Sequence, residues 1–178
     1  MAPTALLIID VQQALCTGPW AAHAIDHVIE RINALSARAR AADLPVVFVQ
    51  HEDDGPLTHG SAGWQLAAPL ETQPSDVRVR KTTPDSFCRT ELHELLQQRG
   101  IQRLAVCGLQ SDFCVDTTVR RALALGYDVE LASDAHSTIA NGVLSAEQII
   151  DHHNATLANL GFGPQIAVTA AEAVRLGG

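Results

Sequence analysis

The chain has 178 residues, 47% apolar and 18% charged, with twelve Lys and Arg against twenty Asp and Glu for a formal charge of −8. That composition excludes disorder and supports one core, expected as a single domain over residues 1–178. The negative excess repels phosphate backbones and anionic lipid, so a small molecule is the expected partner, with no nucleic acid and no membrane. The apolar run at the N-terminus stops at Asp10 without the basic region of a signal peptide, and no stretch approaches the roughly 20 apolar residues of a membrane span; a cytoplasmic protein is expected. Cys16, Cys88, Cys107 and Cys114 form no CxxC pair and are expected as free thiols.

In chain order, TALLII at 4–9 reads as a buried strand, and Ile25, Ile29, Ile32 and Leu35 repeat at helical spacing within a helix predicted over 22–42. A second strand is predicted at 46–50. Residues 51–74, polar and rich in Gly and Pro, read as a long loop with one helical turn. Long loops in compact domains tend to be functional. A third strand follows at 77–81, a helix from Asp85 or Ser86 to Gln98, a fourth strand at 103–107, and a helix from Asp112 to Leu125. The remainder reads as a strand at 128–132, a helix at 145–159, a strand at 165–168 and a terminal helix at 170–176. Six strands alternating with helices imply an α/β fold: a doubly wound, mainly parallel sheet with helices on both faces, a Rossmann-like three-layer sandwich.

Such sheets bind ligands beyond the carboxyl ends of their strands, where strand order reverses. Asp10 ends the first strand, Lys81 ends the third, and Cys114 lies on the first turn after the fourth. A helix N-terminus and a cation both favour thiolate over thiol, and a carboxylate can carry the proton. Taken singly, each residue also has an ordinary role: Asp as a loop anchor, Lys as a solvated strand end, Cys as core. A nucleotide-binding reading fails because DVQQALCTG contains no G-x-G-x-x-G.

The segments LLIIDVQ, RKTTPDSF and CGLQSDFCVDTTVRRALALGYDVELASDAHST resemble, in order and spacing, the isochorismatase-like cysteine hydrolases, which include nicotinamidases and N-carbamoyl amidohydrolases. The resemblance implies a catalytic triad of Asp10, Lys81 and Cys114, a cis bond between Leu109 and Gln110, an oxyanion hole from the amides of Gln110 and Cys114, and a homo-oligomer. True isochorismatases of that family lack the cysteine. Its presence here favours hydrolysis of an amide or carbamoyl group through a thioester. A catalytically silent binding or scaffold protein on the same fold is the alternative.

Around the triad, Gln12, Trp20, Trp64, Phe87 and His136 are candidate substrate-binding residues, each with an ordinary loop or packing role beside it. Nicotinamidases hold a metal through a D-x-H-x5-H pattern, whereas this chain has His51, Asp53 and His59 with the first two types reversed. The swap changes reach as well as identity, so no metal and no other cofactor is expected. Cys16, Cys88 and Cys107 read as packing residues, and His152 and His153 diverge too far along a helix to chelate one ion.

Overall fold

TALLII is buried at every position, and a strand with no polar face belongs inside a sheet covered on both sides. The computed structural model describes residues 2–161 and 163–177. Six strands, β1 (Thr4–Ile9), β2 (Val46–His51), β3 (Val77–Lys81), β4 (Arg103–Leu109), β5 (Asp128–Ser137) and β6 (Ile166–Thr169), form one sheet. Their order is β3-β2-β1-β4-β5-β6, with every neighbouring pair parallel. The expected doubly wound α/β fold is the one observed.

The helices are α1 (Gln13–Cys16), α2 (Ile25–Ala41), α3 (Leu92–Gln98), α4 (Asp116–Ala124) and α5 (Ala146–Ala158). On one face, Ile25, Val28, Ile29, Ile32 and Leu35 of α2 join Leu6, Ile8, Phe48 and Cys107 in a buried cluster. On the other, Leu92 and Leu96 of α3, Val119 of α4 and Leu157 of α5 pack with Leu7, Ile9, Val49 and Val106. Alternate residues of β1 thus feed opposite cores, and each large aliphatic side chain so buried stabilises the fold by about 1.5–3 kcal/mol. No helix among the described residues is long and apolar enough to cross a membrane.

Strand order reverses between β1 and β4, and the contact there is very close. Gly108 pairs with Ile9 at a φ of +117°, and a Cβ on it would lie 2.1 Å from the Ile9 carbonyl oxygen. Only glycine lets the two strands meet directly below Asp10.

Several boundaries differ from the sequence reading. The helix predicted from residue 85 begins only at Leu92: Asp85 accepts the Phe87 amide at 2.8 Å, Ser86 bonds to Thr118 at 2.8 Å, and Arg89 sits at a left-handed φ of 56°. The predicted terminal helix is a single 3-10 turn at Ala171–Ala173, because the Arg38 guanidinium takes the carbonyls of Ala171 and Val174 at 2.8 and 2.6 Å. The predicted helix at 112–125 opens instead as a π turn, Ser111–Val115, in which the amides of Phe113 and Val115 share the Gln110 carbonyl at 3.1 Å.

Strand β5 runs five residues beyond its predicted end. Val106 pairs with Leu131 but Gly108 with His136, so two steps along β4 match five along β5. This bulge returns His136 and Ser137 to the ladder beside Gly108 and Leu109. The loop after β2 contains turns but no helix. It is stitched to the segment after β1 by Gln13 N to Gln65 O (2.8 Å), Ala14 N to Gly63 O (3.0 Å) and Ala67 N to Val11 O (3.0 Å).

Candidate active site

β1, β3 and the π turn after β4 deliver three reactive side chains to one point. Asp10, at a left-handed φ of 51°, leaves β1 with its amide bound to the Val49 carbonyl at 2.9 Å. Its Oδ2 lies 2.7 Å from Lys81 Nζ, and both side chains are almost completely buried. An isolated charge at that depth would be untenable, so each ion sustains the other. Lys81 Nζ also stands 3.1 Å from Cys114 Sγ, 3.1 Å from the Thr83 carbonyl and 3.2 Å from His51 Nδ1. Four acceptors therefore share three ammonium protons.

Asp10 Oδ1 is buried and has no hydrogen bond of normal geometry among the described residues, while the Cys114 thiol is close enough to interact with the carboxylate. Burial, followed by the Asp10 charge, pushes the Cys114 thiol up to about 12, against the opposing pull of Lys81. Against the expectation of a thiolate favoured by Lys81, desolvation of sulfur and the neighbouring carboxylate together outweigh the lysine. At rest this centre holds a thiol beside an open carboxylate oxygen, with an ammonium bridging them.

A cavity of about 270 Å³ opens over the sulfur, lined by Asp10, His51, Gln110 and Cys114 and walled by Leu15, Leu57, Pro84 and Phe113. The Leu109–Gln110 peptide bond at its floor is cis. The model of the isochorismatase domain matches residues 4–165. The chain belongs to the isochorismatase family. The three residues brought together here are those on which the sequence resemblance rests.

This isochorismatase-family chain is similar to a streptothricin hydrolase of Streptomyces noursei, 43% identical over 139 residues that make up 75% of the chain and 49% of the relative. A second streptothricin hydrolase from that organism is covered to 54%, so the chain spans about half the length of these relatives. Among solved structures, an isochorismatase family protein superposes with a TM-score of 0.86 at 38% identity, over 93% of this chain and 98% of that one. A cysteine hydrolase from Pseudomonas syringae pv. phaseolicola 1448A gives 0.83 at 25% identity, over 96% and 89%.

The candidate substrate-binding residues of the isochorismatase-family chain mostly lie elsewhere. Gln12 is buried with its amide spent on backbone: Nε2 donates to the carbonyls of His51 and Trp64 at 3.0 Å, and Oε1 accepts the His51 amide at 2.8 Å. It straps the long loop to β1 and has no free group for substrate. Phe87 is core, stacked on Tyr127 at 5.9 Å. Trp64 stacks on His59 at 4.6 Å and anchors the loop, while Trp20 is 65% exposed; neither lines the cavity. His136 is buried behind the π turn, with both ring nitrogens engaged by Ser111 and Asn154.

The residues that sequence reasoning missed are the cavity walls. Phe113, 54% exposed immediately before Cys114, carried the one available signal: an exposed aromatic beside a nucleophile candidate. Of His51, Asp53 and His59, His51 is the one that lines this cavity, because it pairs in register with Lys81 across β2 and β3 and so reaches the same centre.

His51, Asp53 and His59 line one open cavity, but their ligand atoms do not all lie within 4.8 Å of one another. Asp53 Oδ1 accepts the amides of Gly55 and Leu57 at 2.8 and 2.9 Å, His59 Nδ1 faces Glu52 at 3.4 Å, and His51 Nδ1 faces Lys81. Among the described residues, the group whose ligand atoms lie within 4.8 Å of one another is Asp10, His51 and Cys114. The Lys81 ammonium already stands among those three atoms and would repel a second cation, so these donors do not fit a metal.

Proposed function

We propose that this chain hydrolyses an amide or carbamoyl C–N bond of a small molecule through a thioester on Cys114. The observation that carries the reading is the Asp10–Lys81–Cys114 cluster at the floor of the cavity. Asp10 takes the thiol proton as sulfur attacks the substrate carbonyl, and the carbonyl π electrons move to oxygen. The amides of Gln110 and Cys114 receive that oxyanion, which exists only in the tetrahedral state and so is stabilised selectively. Collapse reforms the carbonyl and breaks the C–N bond, with the proton passing from Asp10 to the departing amine or ammonia. Water then attacks the thioester with Asp10 again as base, acid is released, and the proton returns to sulfur. The Lys81 ammonium, in reach of both groups, balances the negative charge as it moves between Asp10 and sulfur.

The walls of Leu15, Leu57, Pro84 and Phe113 favour a compact group with apolar surface beside the scissile carbonyl. The streptothricin hydrolase relatives make streptothricin one compound to assay, alongside nicotinamide and small N-carbamoyl compounds. Ammonia or amine release across that panel, with intact-mass detection of an acyl adduct on Cys114, tests the reading. No turnover on any member and no adduct would favour the silent binding protein instead.

The same chemistry is expected to proceed without metal. Exhaustive dialysis against EDTA followed by assay of the amide turned over above should leave the rate within about twofold. Loss on chelation, restored by zinc, iron or manganese, would return His51, Asp53 and His59 to the ligand set.

A further inference from the structure

His136 touches nothing in the triad, yet its imidazole is buried with both nitrogens satisfied. Nδ1 lies 2.7 Å from Ser111 Oγ and Nε2 lies 2.9 Å from Asn154 Oδ1. Asn154 Nδ2 donates to the Ser133 carbonyl at 3.1 Å, which fixes its amide orientation and leaves Oδ1, an acceptor only, toward the ring. Nε2 must therefore carry the ring proton and Nδ1 the lone pair. Burial holds the imidazole below its ordinary range and hence neutral, consistent with that tautomer. The hydrogen bonds then run in one direction, from the Ser111 hydroxyl to His136, from His136 to Asn154 of α5, and from Asn154 to the backbone of β5.

The next residue is tied in parallel: Thr138 Oγ1 donates to Asp112 Oδ1 at 2.5 Å. Ser111 and Asp112 lie between Gln110 and Cys114, whose amides are the oxyanion donors of the proposed mechanism. Both anchors come from just past the β5 bulge, which is what brings His136 level with Gly108. A buried imidazole is a demanding way to fill space, since it needs two partners where an aliphatic side chain needs none.

We propose that His136 is a positioning residue: through Ser111 it holds the Gln110–Cys114 turn in the geometry that stabilises the oxyanion. This rests on the acyl-transfer reading above. It makes a distinction that a merely structural role does not. Acylation of Cys114 passes through an oxyanion, whereas alkylation by iodoacetamide is a displacement that forms none. Misplaced donors should slow the first and spare the second.

The test compares two rates on the folded chain: the nitrophenolate burst from p-nitrophenyl acetate, and iodoacetamide labelling of the peptide carrying Cys114. Ser111→Ala removes the hydroxyl. His136→Gln keeps a donor where Nε2 stood but loses the acceptor for Ser111, and His136→Asn keeps that acceptor near Nδ1. Losing an oxyanion donor outright costs about 100-fold to 1,000-fold, so displacing one is expected to slow the burst about 10-fold to 100-fold in Ser111→Ala and His136→Gln. Labelling should stay within about twofold of wild type, and His136→Asn should recover most of the burst. Equal losses in burst and labelling, or an unchanged burst in both Ser111→Ala and His136→Gln, would overturn the proposal; if one of these variants fails to fold, the other decides. A wild type that neither releases nitrophenolate through Cys114 nor carries an acyl group on it would overturn the acyl-transfer reading itself, and this inference with it, before any variant is made.

Discussion

Cys114→Ala is expected to abolish hydrolysis of any substrate the wild type turns over while leaving the fold intact. Deleting the nucleophile of a hydrolase costs on the order of a million-fold in kcat, which brings the rate near background. The structure explains why the protein should survive the change. Lys81 offers three protons to four acceptors, so removing sulfur still leaves Asp10 Oδ2, the Thr83 carbonyl and His51 Nδ1. No buried charge loses its last partner, and Tm should move by only a few degrees. Steady-state assay with circular dichroism melts on the same preparation is the check. Activity that persists in Cys114→Ala, or an acyl group trapped on Cys16, Cys88 or Cys107, would remove Cys114 from the mechanism.

Asp10→Asn is expected to move two reactivities of the same sulfur in opposite directions. Turnover should fall about 100-fold to 10,000-fold, the range for loss of a positioned acid–base group, because neither half-reaction retains a proton acceptor. Thiolate formation should become easier. The Asp10 charge helps raise the Cys114 thiol to about 12, and without it the pull of Lys81 is opposed by burial alone. The thiol pKa therefore falls, and iodoacetamide labelling of Cys114 near pH 8 speeds up while amide hydrolysis slows. Removing one charge of a buried pair typically destabilises by about 3–5 kcal/mol, so a lower Tm is also expected. Rates should be read well below it. Slower labelling together with slower hydrolysis would mean that Asp10 only maintains the fold; near-normal hydrolysis would deny it the proton.

The local features of this site were legible early because each has a local cause. An unbroken apolar strand such as TALLII declares its own burial, and the residue that follows it must lie at a strand end. Asp10, Lys81 and Cys114 could be placed in this way, as could β3 at Val77–Lys81 and the start of α5 next to Ser145. The contacts that assemble and surround the site were not legible, since they join residues far apart in the chain. Gln12 and His136 are polar residues beside reactive ones, and sequence cannot say whether their bonds go to substrate or to protein. The fold directs Gln12 to backbone across 39 and 52 residues and His136 to Ser111 and Asn154. The bulge in β5 has no pattern of its own, because it follows from matching β4 at both ends. The charge state of sulfur was likewise a tertiary decision. A helix end and a lysine, read along the chain, argue for a thiolate; burial and the Asp10 carboxylate, present only after folding, hold it as a thiol.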